Sequence, residues 1–158
     1  ELNATESAYP EDQALHQLFE KQAAQTPEAV AVICGDQRLS YRELDELANR
    51  LAFSLRERGV GPEAVVGLFL ERSVEMLAGL LAVLKAGGAY LPLDLRFPKE
   101  RLAHMLGDAQ PRVLLTRRRW LAGLPYASGY TILGDGNPAL IFDLRRLLEA
   151  GVAQAKVA

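Results

Sequence analysis

Apolar residues along this chain alternate between a helical rhythm and short unbroken runs. Leu15, Leu18, Phe19 and Ala23 keep the helical period and predict a helix over 13–25, capped by Asp12 and stopped by Thr26-Pro27. Residues 29–34 are apolar without a break and read as a buried strand, with Gly35-Asp36 as a two-residue turn into a second strand at 37–39. Ser40 opens the next helix. Its hydroxyl can accept from the N–H of Glu43 while the Glu43 carboxylate reaches back, and Leu39 and Leu44 sit at the flanking staple positions. Leu44, Leu47, Ala48, Leu51 and Leu55 then form one stripe, with Arg42, Glu46, Asn49, Arg50 and Glu57 off it, until Gly59 ends the helix.

Residues 65–70 are again a fully apolar strand. Ser73 opens a helix over 74–84 that is apolar on nearly every side and therefore needs cover on several sides. Lys85 complements the dipole at its C-terminal end, and Gly87 supplies a left-handed exit. Residues 90–93 are strand-like, and Pro92 places them at an edge or an end. Pro98, at a first helical position, leads into Arg101, Leu102, Met105 and Leu106. A strand at 113–116, a short helix near 117–121 and a last strand at 131–133 follow. Beyond Pro138, Leu140, Leu144, Leu147 and Leu148 predict an amphipathic helix ended by Gly151. Strands alternating with helices in this way predict an α/β fold, layered, with a mainly parallel sheet flanked by helices.

A chain of 158 residues fits one domain with its own core. Its 49% hydrophobic and 24% charged residues are ordinary for a soluble globular protein, and the expected location is cytoplasmic. The net charge of −2 argues against nucleic acid and anionic membranes as partners, and no apolar run is long enough to span a bilayer as a helix. The single cysteine, Cys34, has no internal disulfide partner and reads as a small core residue. With His16 and His104 far apart, no zinc-ligand spacing arises. The first ten residues are polar, end in Tyr9-Pro10 and read as a linker rather than a signal peptide; the missing Met at position 1 suggests processing or a longer parent chain.

The Lys85-Ala86-Gly87-Gly88-Ala89 segment has the glycines of a phosphate loop but not its context. It follows a helix and precedes a strand, so it presents carbonyls and reads as a tight crossover. Arg117-Arg118-Arg119-Trp120 reads as a solvated helix start with Trp120 turned inward, in preference to a nucleic-acid contact. No carboxylate pair or Ser–His–Asp set emerges. The residues thus nominate no catalytic, cofactor-binding or metal-binding position.

Two segments carry a family resemblance. Leu39-Ser40-Tyr41-Arg42-Glu43-Leu44 resembles the first core motif of the adenylation domains of nonribosomal peptide synthetases, which are AMP-binding, acyl-adenylate-forming enzymes. Leu84-Lys85-Ala86-Gly87-Gly88-Ala89-Tyr90-Leu91-Pro92-Leu93-Asp94 resembles the second, in the expected order and at the expected spacing. Thr26-Pro27-Glu28-Ala29-Val30-Ala31-Val32 and Pro98-Lys99-Glu100-Arg101-Leu102 fit the same pattern, and residues 2–10 resemble the tether between a condensation and an adenylation domain. One departure is Leu95-Arg96-Phe97-Pro98 where the family has Pro-x-Tyr-Pro; Leu95 is expected to loosen that turn, and Phe97 removes a hydroxyl.

The resemblance implies a linker at 1–10, a partial adenylation domain at 11–136 corresponding to the first part of the N-terminal subdomain, and a tail at 137–158 of unassigned role. It implies that the complete enzyme joins an amino acid to ATP, releases pyrophosphate, and passes the acyl group to the phosphopantetheine of a carrier protein. ATP and Mg²⁺ belong to that complete enzyme, and a condensation domain and the rest of a synthetase are the implied partners. The family's phosphate-binding loop, rich in Ser, Thr and Gly and ending in Pro-Lys-Gly, occurs nowhere in these 158 residues. The chain alone is therefore expected to be inactive. Two other readings are a non-catalytic remnant serving as a platform beside a condensation domain, and an independent small-ligand-binding α/β domain. A sheet cut before its remaining strands exposes apolar surface. Self-association, a neighbouring domain, or the helix through Leu140 and Leu148 folded back as a lid would cover it.

Overall fold

The computed structural model describes residues 12–124 together with the strand segments Tyr130–Ile132 and Pro138–Asp143. The first helix, α1, spans Leu15–Gln25. It starts later than the sequence predicts and is not capped by Asp12: Ala14 is the cap residue, and its N–H donates to Gln17 Oε1 at 2.8 Å. Strands β1 (Val30–Cys34) and β2 (Gln37–Ser40) form an antiparallel hairpin closed by Gly35, whose φ is +58°. The unbroken apolar run of β1 is not a buried central strand. It belongs to a two-stranded sheet with one side open, so Val30 and Ile33 stay exposed while Ala31 and Val32 pack on the core. Cys34 is likewise only half-buried, not a core residue.

Helix α2 (Tyr41–Glu57) buries Leu44, Ala48, Leu51 and Leu55 of the predicted stripe, together with Ala52, while Leu47 of that stripe is only half-buried. It ends with paired bonds from Gly59 N–H to the Arg56 carbonyl (2.9 Å) and from Val60 N–H to the Leu55 carbonyl (3.0 Å), made possible by φ +78° at Gly59. Strand β3 (Val65–Phe69) leads into helix α3 (Val74–Ala86), in which no residue is exposed. Strand β4 (Ala89–Pro92), helix α4 (Lys99–Ala109) and strand β5 (Val113–Thr116) follow, then a 3-10 turn at Arg118–Gly123. Pro98 caps α4 from just outside, one position earlier than predicted.

The strand at Tyr130–Ile132 (β6) is not the last. Pro138–Asp143 forms β7, so the predicted helix through Leu140 is wrong there; Leu144, Leu147 and Leu148 lie outside the described residues. The leucine spacing suggested a helix, but Ala139-Leu140-Ile141-Phe142 is an unbroken apolar run that fits a strand as well. The lid reading loses its Leu140 end to this strand.

The five strands lie in the order β4-β3-β5-β7-β6. All neighbours are parallel except β6 and β7, so the sheet is mainly parallel as expected. The pleat divides the core. Val66, Leu68, Val113 and Leu115 point to one face and pack with α2 and α3; Phe69 and Leu114 point to the other and pack with Leu102 and Leu106 of α4. The result is a sheet layer between two helix layers.

Candidate functional site

The two motif segments have structural roles. Ser40 Oγ accepts from the Glu43 N–H at 3.2 Å, and Glu43 Oε2 accepts from the Ser40 N–H at 2.8 Å. The Ser40 backbone donor, followed by its hydroxyl, holds the Glu43 carboxyl below its ordinary range. Such a reciprocal cap satisfies two backbone donors at the start of α2. At the glycine pair, Gly87 N–H donates to the Leu84 carbonyl and Gly88 N–H to the Val83 carbonyl, both at 3.0 Å, with φ +87° at Gly87. Ala89 N–H donates to the Ala64 carbonyl at 2.9 Å, which starts the pairing of β4 with β3. Every N–H of the crossover is spent internally, so it is no phosphate cradle.

The feature with the geometry of a site is the carboxyl edge of the sheet. After β3 the chain turns toward β4, and β5 lies on the other side of β3, so the connections diverge between β3 and β5. In open α/β sheets ligands settle at such a divergence, but here the open space lies on the other side of β3, toward β4. A cavity of about 660 Å³ opens at the ends of β3 and β4. Leu68, Leu70, Met76, Leu80, Tyr90 and Phe97 are among its apolar walls, and Glu71, Arg72, Asp94 and Arg96 bring charge to it. The turn after β4 is closed despite Leu95: Phe97 N–H donates to the Asp94 carbonyl at 3.0 Å, and Arg96 N–H to Asp94 Oδ1 at 2.8 Å. Phe97 packs with the α4 cluster, and Arg101 lies 3.9 Å over its ring.

The Arg96 guanidinium and N–H lower the Asp94 carboxyl to about 2. Because the folded value lies below the unfolded one, this pairing is fully present above the ordinary carboxylate range and is lost as pH falls toward about 2. Carboxyl NMR titration is expected to place the Asp94 midpoint near 2 and to raise it only part of the way toward about 3.9 in Arg96→Ala, because the backbone N–H of residue 96 still donates. An unchanged midpoint in the variant would refute Arg96 as the cause.

Beside the cavity, two of the three arginines of the basic run are paired from within. Glu71 is paired with Arg117 at 2.8 Å and with Arg119, and it accepts from Trp120 Nε1. Arg117 also pairs with Glu75. Trp120 packs on the cluster of Phe69 and Leu124, inward as predicted. His16 is half-buried on α1 and His104 exposed on α4, and among the described residues no group of His, Cys, Asp and Glu converges to hold a metal ion. The crossover N–H groups are used and Arg117 and Arg119 are paired, so neither segment offers a ready anion-binding group. Among the described residues lining the cavity, no nucleophile stands beside a base.

The burial of one charged residue is not legible in the sequence. Lys85 is 7% exposed, with Nζ paired to Glu20 of α1 and 2.9 Å from Asp45 Oδ1 of α2. The only signal for it is a lone cation within a helix otherwise apolar on almost every side.

Comparison with known proteins agrees with this geometry. The family model described as "AMP-binding enzyme" matches residues 19–145. Tyrocidine synthase 3 of Brevibacillus parabrevis is 52% identical over 149 residues, covering 89% of this chain but only 2% of that protein. The nonribosomal peptide synthetase FmoA3, solved with AMPPNP bound, superposes with a TM-score of 0.76 at 36% identity, over 92% of this chain and 15% of that one. The N-terminal subdomain of Klebsiella oxytoca NpsA, in complex with 3-hydroxybenzoyl-AMSN, gives 0.75 at 25% identity, over 92% of this chain and 34% of that one. The chain therefore spans a small part of the relatives it matches. On the family match and these likenesses, it belongs to the AMP-binding enzyme family, among the adenylation domains of nonribosomal peptide synthetases.

Proposed function

We propose that these residues form the opening part of the N-terminal subdomain of an amino-acid-activating adenylation domain. The observation that carries this reading is the family match, which runs from α1 through β7 and takes in both motif segments. In the complete enzyme an amino acid and ATP give aminoacyl-AMP and pyrophosphate, and the acyl group then becomes a thioester on a carrier-protein phosphopantetheine. The part played by this chain is architectural. Its capping box and its glycine crossover set α2, α3 and the strands between them, and the carboxyl edge of the sheet is the surface on which the remaining enzyme is built. The phosphate-binding groups come from sequence outside these 158 residues.

A synthetase setting is implied by the relatives. The finer reading is a condensation domain joined through residues 1–10 and a cytoplasmic location; among the described residues no helix is long and apolar enough to cross a membrane. The readings as a platform remnant or an independent ligand-binding domain gain no support from the comparisons.

Incubated alone with ATP, Mg²⁺ and any proteinogenic amino acid, the 158-residue chain is expected to give no amino-acid-dependent pyrophosphate exchange above a protein-free control. Transition-state charge in such chemistry needs aimed cations and N–H donors, which the described residues do not present. Clear exchange would place the active site within this chain and overturn the architectural reading.

A further inference from the structure

Helix α1 is weakly held by apolar contact. Ala23 is its one buried residue, Leu15 and Leu18 are 61% and 37% exposed, and Phe19 meets the ring of Tyr41 at 5.7 Å between centroids. Its outer turns carry local side-chain bonds only, such as Lys21 Nζ to Gln13 Oε1 at 2.7 Å. Against this stands Lys85, whose side chain is 3% exposed. A buried ammonium is costly unless it is paired and hydrogen-bonded.

The two carboxylates near Lys85 are not equivalent. Asp45 Oδ1 lies 2.9 Å from Nζ but lacks the alignment of a hydrogen bond, and Asp45 Oδ2 is engaged by Asn49 Nδ2 at 2.9 Å. Among the described residues, the carboxylate that accepts a hydrogen bond from Nζ is that of Glu20. The need is mutual: the cation requires the carboxylate of α1, and α1 has little else to grip. The other end of Lys85 is fixed, since its carbonyl accepts from Arg56 of α2 and its backbone belongs to the unexposed helix α3.

We propose that Lys85 is a positioning residue that latches α1 onto the α2–α3 pair, making α1 a strap with a docked and a released position governed by the Lys85–Glu20 pair. Release of α1 would leave α2, α3 and the sheet in place, because Phe19 of α1 packs against their core cluster only partly buried and no residue of α1 belongs to its buried set. The strap is thus a separate unit of local stability.

Amide hydrogen exchange on the whole chain tests this, using wild type, Glu20→Ala, Lys85→Met and the double variant. Glu20→Ala is expected to speed exchange across Leu15–Gln25 by about tenfold or more while α3 keeps its wild-type rates. Lys85→Met is expected to do the same to α1, and Glu20→Ala added to Lys85→Met is expected to change α1 by less than about twofold, since coupled partners are not additive. An α1 that is unprotected in wild type, that is unchanged by Glu20→Ala, or that loosens together with α3 overturns the proposal. So does a double variant in which the two effects multiply. If Lys85→Met does not fold, Glu20→Ala alone decides between these results.

Discussion

Leu81→Ala is expected to cost about 2–5 kcal/mol, the range for deleting a buried leucine side chain. Leu81 is 6% exposed on α3, in one cluster with Leu44, Leu51 and Leu55 of α2 and Val66 and Leu68 of β3. Neighbours from a second helix and from the sheet cannot all move inward to refill the space, so transfer and cavity costs add. A domain of this size has about 5–15 kcal/mol in total, so the loss would be a large share of its stability. Urea melts are expected to show a lower midpoint with an unchanged slope. A loss under about 0.5 kcal/mol would mark α3 as a surface helix and refute its placement.

Gly88→Ala is the second large effect, expected to destabilise by about 1–3 kcal/mol through overpacking. A Cβ at Gly88 would stand 2.9 Å from the Ala64 carbonyl oxygen and 2.9 Å from Val60 Cγ1. The carbonyl cannot retreat, because it accepts from Ala89 N–H at the point where β4 joins the sheet. Gly107, inside α4, is the matched control: nothing lies within 4 Å of its added Cβ. Gly107→Ala is expected to gain about 0.5–1 kcal/mol from helix propensity. Thermal melts of the two variants should therefore move in opposite directions. Movement in the same direction would show that the crossover is not the tight passage described.

What was legible in the sequence was whatever depends on near neighbours. The Ser40 box, the glycine exits of α2 and α3, and Pro92 ending an edge strand each rest on residues a few positions apart, and each appears as predicted. Two local readings also failed, the Asp12 cap and Pro98 as the first residue of α4, but the larger errors concern partners distant in the chain. The apolar run at β1 has the same composition as a central strand, but it pairs with β2 in a separate two-stranded sheet and Ile33 is exposed. Leucine spacing near Leu140 fitted a helix, but pairing with β5 made it a strand. Lys85 lies 65 residues from Glu20, so no local pattern could reveal that its ammonium is buried between helices. At the sheet's carboxyl edge, the motifs gave the scaffold but not the cavity, whose walls come from β3, α3 and the turn after β4 together.

The most direct test of the architectural role is a transplant. Residues 19–145 of this chain would replace the matching segment of an adenylation domain of tyrocidine synthase 3, and amino-acid-dependent pyrophosphate exchange would be measured across the proteinogenic amino acids. The account predicts exchange with the recipient domain's own amino-acid preference, because this segment supplies scaffold and the remaining enzyme supplies chemistry and selection. A folded hybrid with no exchange, or one whose preference has changed, would contradict it.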